Sequence, residues 1–351
     1  MKKSMLLVMV WASFSLHAKD DVMFVAAPVA SVWELPDLNI KSFTLPLISD
    51  DLPQHLTQVL YGERVEIVER NKAGWCKVNV LDQAHFNRKV GVWGFCDGWM
   101  FEKDLQAKGY EASFDVAVTE LWAAVHSEPN EKSPEIQRLS FGTLLPIGKN
   151  RREGWQEVCL LDGKIAFIKA SDVSQLLVSK LHKSELLLRQ CMVEYVHKFL
   201  GLPYCWDGRC AYSKTLDFIP TSVDCSGLVN LVYSACGFRL PRHAHSQFMR
   251  AMPIEPKNMQ PGDLMFFKRG KHNFDRVNHV LMYVGGDEFI EATESSKSVR
   301  IITTQIFFGK SLIELKNGEH FSGGSSRWGD IEIHCGSFLA SPELRNEPRI
   351  K

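Results

Sequence analysis

Val223-Asp224-Cys225-Ser226-Gly227-Leu228 places a cysteine where a turn gives way to a helix. The residues that follow, Leu228, Val229, Leu231, Val232 and Ala235, recur at roughly helical spacing, and Gly237 stands where a C-cap would. A thiol at a helix N-terminus feels the positive end of the macrodipole and the free N–H groups of the first turn. Both favour the thiolate, which is the nucleophilic form. Gly227 leaves room for a neighbouring strand or a substrate backbone to come close. Such a cysteine standing alone would be read as a buried structural residue. The assignment therefore turns on whether a base accompanies it.

A base need only be near in space. Arg276 to Val284 reads as a strand with His279 near its start, Gly285-Gly286-Asp287 supplies turn chemistry, and Glu288 to Thr293 reads as the return strand. Upstream, Gln260-Pro261-Gly262-Asp263 is a turn feeding another apolar strand, Leu264 to Phe267. A helix carrying Cys225 followed by strands carrying His279 is the order of a papain-type active site. His243 and His245, after Leu240-Pro241-Arg242, belong to a loop or helix start and read as surface or cleft-lining residues rather than the base.

Five ordered segments carry a family resemblance. Gly201-Leu202-Pro203-Tyr204-Cys205-Trp206-Asp207-Gly208, Asp224-Cys225-Ser226-Gly227, Leu240-Pro241-Arg242, Pro261-Gly262-Asp263-Leu264 and Asn278-His279-Val280 together resemble an NlpC-type cell-wall peptidase domain over roughly residues 185–345. The resemblance implies a papain-like cysteine peptidase that cleaves between D-γ-glutamate and a diamino acid in peptidoglycan stem peptides. It implies Cys225 as nucleophile, His279 as base, and Tyr204, Asp224 and Ser226 along the substrate cleft.

The chain departs from the family in two places. The third polar residue, often histidine there, falls in Phe289-Ile290-Glu291-Ala292. A carboxylate at Glu291 can accept the imidazole N–H and stabilise the imidazolium. Strand register decides between two glutamates. A three-residue loop makes Glu291 a diagonal neighbour of His279, ~7–8 Å between backbones, whereas a two-residue turn puts Glu294 opposite His279 and turns Glu291 away. Glu291 is the expectation, Glu294 the alternative. The second departure is Asp207, which replaces the first glycine of the family's Trp-Gly-Gly and bears on the substrate-side loop. These departures also keep open a non-catalytic wall-binding scaffold on a retired peptidase fold, or an amidase or acyltransferase with another substrate.

Lys2 and Lys3 precede an apolar run from Met5 to Leu16, and Ala18 suits a cleavage site. This reads as a secretory signal peptide, too short to span a bilayer comfortably. The mature chain is expected to be exported, to a bacterial periplasm or cell envelope, without membrane insertion. Nine cysteines are an odd number, so at least one stays unpaired within the chain; Cys76 and Cys96 could pair. The Cys205–Cys210 and Cys225–Cys236 spacings lack paired C-x-x-C elements, so no metal and no cofactor are expected. With 41 basic and 41 acidic side chains, no global field recruits nucleic acid.

Between signal and peptidase, two segments repeat a plan of short strands with Gly74-Trp75-Cys76-Lys77-Val78 and Gly154-Trp155-Gln156-Glu157-Val158 about eighty residues apart. They resemble bacterial SH3-like domains. The expected architecture is an α+β papain-like catalytic domain, a helix-borne cysteine packed on an antiparallel sheet, preceded by two small all-β barrels. The bounds are 1–18 signal, 19–106 first barrel, 107–178 second barrel and 179–351 peptidase. By resemblance, the first barrel can wall the cleft, with Glu63 receiving the ammonium of an N-terminal L-alanine and Trp99 closing the wall. Such an ion pair would favour free stem peptides or muropeptides over amines blocked by glycan.

Overall fold

The computed structural model describes residues 21–36, 55–110, 113–176, 185–214, 220–269, 276–322 and 330–340. The signal segment read at residues 1–18 lies outside these. The first β region is a seven-stranded antiparallel sheet of β1 (Val22–Val25), β2 (Val29–Trp33), β3 (His55–Leu60), β4 (Arg64–Arg70), β5 (Trp75–Asn87), β6 (Val92–Phe101) and β7 (Leu105–Gln106). Its order is β3-β2-β6-β5-β4-β1-β7. Alternating residues turn inward, so Val32, Val59, Val65, Cys76, Val78, Val80 and Met100 close one apolar core.

The second β region holds β8 (Val116–Val118), β9 (Trp122–His126), β10 (Glu135–Ser140), β11 (Leu144–Leu145), β12 (Ile147–Arg152), β13 (Trp155–Cys159), β14 (Ile165–Lys169) and β15 (Val173–Gln175). They form a five-stranded and a three-stranded sheet around Val118, Val125, Leu139, Leu145, Val158 and Ile168. The repeated Gly-Trp has the same job in both regions. Gly74 and Gly154 turn the chain at φ +82° and +72°, which a side chain rarely allows, and a buried tryptophan then opens β5 or β13.

The catalytic part adds α1 (Glu185–His197), α2 (Cys225–Ala235) and α3 (Ala244–Arg250), then β16 (Met252–Pro253), β17 (Leu264–Arg269), β18 (Val277–Gly285), β19 (Glu288–Thr293), β20 (Ser298–Thr303), α4 (Thr304–Phe308), β21 (His320–Phe321) and β22 (Ile331–Ser337). The sheet runs β16-β22-β17-β18-β19-β20, with β21 also on β22, and its pairs are antiparallel. On one face α1 and α2 pack Leu188, Met192, Leu228 and Val232 against Val280, Met282, Ile290 and Ala292. Val29 and Leu60 of the first β region, and Ala117 and Phe141 of the second, enter that same core. The expected α+β domain behind two all-β units is therefore the fold, and the three parts share buried surface. Among the described residues no helix is long and apolar enough to cross a membrane.

The suggested Cys76–Cys96 disulfide does not form. Cys76 sits opposite Met100 and Cys96 opposite Val80, so the two are staggered by four residues, ~13 Å along the ladder. A disulfide tolerates no more than ~7 Å between Cα atoms. All nine cysteines are unpaired.

Candidate active site

Cys225 is the first residue of α2. Asp224 caps that helix, its side chain accepting the Gly227 N–H at 2.5 Å. Gly227 is required here, because a Cβ would lie 2.1 Å from the Gly208 carbonyl oxygen. The cap is fixed by Arg242, whose side chain is wholly buried. Its guanidinium donates to Asp224 Oδ2 at 3.0 Å, to Ser226 Oγ at 3.0 Å and to Thr57 Oγ1 of the first β region at 2.8 Å. Leu240-Pro241-Arg242 signals this residue in the sequence; the sequence alone gives it no role.

The second half of the site comes from β18 and β19. His279 Nε2 and Glu291 Oε2 are 2.5 Å apart, both side chains buried. The other Glu291 oxygen accepts from Arg300, Nε at 2.9 Å and Nη2 at 2.8 Å. Glu291 rather than Glu294 thus meets the histidine, for a reason that the loop length alone conceals. The turn closes on Gly285↔Glu288, with Gly286 and Asp287 between them, but the register shifts between Tyr283 and Gly285. Val284 is bulged out, so Tyr283 faces Phe289 and Met282 faces Ile290. The extra residue restores the register of a three-residue loop.

Cys225 and His279 line one cleft of about 590 Å³ together with Tyr204, Trp206, Asp207, Asp224, Ser226, Arg269 and Glu294. One wall is the hairpin end of the first β region, His85 to Lys89. That hairpin is docked by Arg242 N–H to the Ala84 carbonyl at 3.0 Å and Phe86 N–H to Ser246 Oγ at 3.0 Å.

The electrostatics revise the expectation of a resting thiolate. Burial and the adjacent Asp224 carboxylate push the Cys225 thiol up to about 12, against the pull of a Val280 backbone bond, Arg269 and Arg242. Burial is the larger cause, and the cap residue adds its negative charge beside the sulfur while holding the Gly227 N–H. His279 is lowered by burial and then by Arg269, with Glu291 opposing. Burial would raise Glu291, but His279 and Arg300 outweigh it and hold it at about 2. The resting site is a neutral thiol, a neutral imidazole and an ionised glutamate.

Of the remaining expected residues, Tyr204, Asp224 and Ser226 border the cleft, with the polar atoms of the latter two engaged by Arg242. Burial raises the Tyr204 phenol well above its ordinary range, leaving a protonated donor in the cleft. Glu63 does not reach the cleft. Its carboxylate is paired at 2.7 and 2.9 Å with the buried Arg209 guanidinium and caps its own turn at Leu60 N–H. Trp99 is not among the cleft-lining residues either; it pairs across the sheet with Trp33 and Lys77 inside the first β region. The part of the first β region that does line the cleft is the His85–Lys89 end of the hairpin. The signal missed was length: β5 and β6 run far beyond what a small barrel needs.

Residues 201–313 match the NlpC/P60 family. The chain is similar to a γ-D-glutamyl-L-lysine dipeptidyl-peptidase of Bacillus cereus, at 28% identity over 84% of this chain and 90% of that one. It is similar to the Bacillus subtilis protein of the same name, at 29% identity over 78% and 83%. A crystal structure of an NlpC/P60 family protein from Bacillus cereus superposes with a TM-score of 0.63, at 24% identity, covering 89% of this chain and 98% of that one. A helix-borne cysteine, a strand-borne histidine held by a carboxylate, and this agreement in fold and sequence lead to one conclusion: the chain contains an NlpC/P60 cysteine peptidase domain.

Proposed function

We propose that the protein hydrolyses the γ-D-glutamyl–diamino acid bond of peptidoglycan stem peptides, taking peptides with a free N-terminal L-alanine. The observation that carries it is the shared cleft of Cys225 and the His279–Glu291–Arg300 chain. With Nε2 bound to Glu291, Nδ1 of His279 is the nitrogen left to take the Cys225 proton. As sulfur attacks the γ-carbonyl, the imidazolium forms against a carboxylate that Arg300 keeps ionised, so Glu291 stabilises charge without itself accepting the proton. The Cys225 backbone N–H at the start of α2 and the Tyr204 hydroxyl are the donors available to the oxyanion. His279 returns the proton to the leaving amine, and water resolves the acyl-enzyme by the reverse sequence.

The names of the similar Bacillus proteins, dipeptidyl-peptidases acting at γ-D-glutamyl-L-lysine, support a substrate with a free end. With Glu63 committed to Arg209, Asp224 to Arg242 and Asp207 facing His243, Glu294 is the carboxylate on the cleft wall that an incoming ammonium would meet. The basic-then-apolar start of the chain supports export to the bacterial cell envelope, which fractionation of cells expressing the full chain tests.

The function is tested by mass spectrometry of L-Ala-γ-D-Glu-L-Lys beside its N-acetylated form, with Cys225→Ala as control. Release of lysine from the free-amine peptide alone is the expected result. Equal cleavage of both peptides removes the free-amine preference, and cleavage of neither removes the peptidase assignment.

A further inference from the structure

A second cluster of ligating side chains stands on the lip of the same cleft. His85 comes from β5, Cys96 from β6 and His243 from the start of α3, and one ligand atom of each lies within 4.8 Å of the other two. Cys96 Sγ is 3.7 Å from His243 Nε2, and the His85 and His243 rings meet edge to face with centroids 5.1 Å apart. In a tetrahedral zinc site, bonds of ~2.3 Å to sulfur and ~2.0–2.1 Å to nitrogen set a sulfur–nitrogen edge of ~3.6 Å. The sulfur and nitrogen are thus already spaced as two ligands of one metal. Nδ1 of His85 is buried with no hydrogen-bond partner, so that ring lacks a bond it would ordinarily make.

An independent observation lies behind His243. Its Nδ1 faces Asp207 Oδ1 at 3.8 Å, on the far side from Cys96. Metal-bound histidines commonly turn their second nitrogen to a carboxylate, which fixes the tautomer and the ring. Asp207 is held at φ 52°, a left-handed conformation uncommon for a residue other than glycine. A carboxylate kept in that strained position, where the family resemblance leads one to expect glycine, has a use if it orients a ligand.

We propose that His85, Cys96 and His243 bind a zinc ion that pins the hairpin of the first β region to the peptidase domain, with Asp207 orienting His243. Two histidines and one cysteine suit Zn²⁺ and not Mg²⁺ or Ca²⁺, which take oxygen ligands. Binding must release the thiol proton, because the ligand is the thiolate and the neutral imidazoles, so affinity should fall with acidification. His85 and His243 both line the cleft, from which water could supply a fourth ligand. No spacing in the sequence announces this set, since its members stand 11 and 147 residues apart along the chain, from residues 85 to 96 and 96 to 243. It runs against the expectation, drawn from cysteine spacing, that the chain holds no metal.

The test uses Co²⁺ and then Zn²⁺ with the full chain carrying Cys225→Ala, so that the active-site thiol cannot contribute. One equivalent of Co²⁺ should bind with a near-ultraviolet thiolate-to-cobalt charge-transfer band, and Zn²⁺ should displace it and raise the melting temperature. Cys96→Ser should abolish the band. His85→Gln, at a half-buried position outside the barrel core, should abolish stoichiometric binding while the metal-free melting temperature stays as in the parent. Asp207→Asn should weaken binding ~10–100-fold. Absence of binding in the Cys225→Ala protein, or a cobalt band that survives Cys96→Ser or His85→Gln, would overturn the site.

Discussion

The two β regions share a plan and meet the peptidase domain with a different balance of contacts. The first meets it through buried polar groups. His55 Nδ1 bonds the Trp206 carbonyl at 3.0 Å, Thr57 accepts from Arg242, Gln58 Oε1 accepts the Arg209 N–H at 2.7 Å, and Glu63 pairs with the Arg209 side chain. The second bonds the domain as well, Ser140 Oγ accepting the Ala211 N–H at 2.8 Å and Trp122 Nε1 donating to the Tyr212 carbonyl at 2.8 Å, and adds aromatic and aliphatic contacts. Phe141 stands edge-on to Tyr195 and Phe199 at 5.7 and 5.1 Å, and Gly142 lies against Leu231. Apolar contact is non-directional and stabilises almost any close fit. A buried polar network stabilises only when every partner is met, so it specifies one geometry. The first region therefore sets where the cap of the Cys225 helix sits, and the second holds the assembly together.

Four changes break or sharpen that contrast. Arg242→Met strands Asp224 as an unpaired buried carboxylate and should cost about 3–5 kcal/mol, with kcat falling as well because the cap of α2 loosens. Chemical denaturation beside steady-state kinetics reads both losses. Phe141→Ala should cost a comparable ~3–5 kcal/mol of stability, yet leave kcat and KM of the folded fraction as they were. A changed KM there would mean the second region also shapes the cleft.

His55 sharpens the contrast through pH. Burial lowers its pKa to about 4 from 6.5, so the folded protein keeps it neutral while the unfolded chain protonates it. Stability is then full above pH 6.5 and declines as the pH falls toward 4, by about 3 kcal/mol from this group. His55→Gln should flatten that part of the stability profile; an unchanged slope contradicts the assignment. The smallest effect is expected at the hairpin end, where Arg88 and Lys89 are exposed on the cleft wall. Arg88→Ala with Lys89→Ala should raise KM for an anionic stem peptide a few-fold, about 0.5–1 kcal/mol, without moving the melting temperature.

Much of the catalytic site was legible because its signals are local. Helical spacing after Cys225 and alternation through His279 fix an element and a face, and turn residues limit the register to two choices. The bulge at Val284, which selects Glu291, depends on packing of both faces of β18 and has no local signature. Glu63 was misplaced for a related reason. Its partner Arg209 lies 146 residues away, and a buried guanidinium claims a nearby carboxylate before any substrate can. The helix-dipole argument for a Cys225 thiolate leaves out burial, which raises the thiol most, and the Asp224 charge beside the sulfur, neither of which has a local signature.

The central claim is that a neutral His279, oriented and charge-balanced by an ionised Glu291, takes the proton of a neutral Cys225. The pH profile of kcat/KM on L-Ala-γ-D-Glu-L-Lys, measured for the wild type beside Glu291→Gln, tests it most directly. The wild-type rate should hold down to pH 6.5 and fall only below it, since burial and Arg269 depress the histidine. Glu291→Gln should lose up to ~10⁴-fold and shift its acid limb lower still, because the carboxylate it removes is what raises the histidine. A wild-type limb centred at or above pH 6.5, or a Glu291→Gln enzyme with an unchanged rate and limb, would contradict the account.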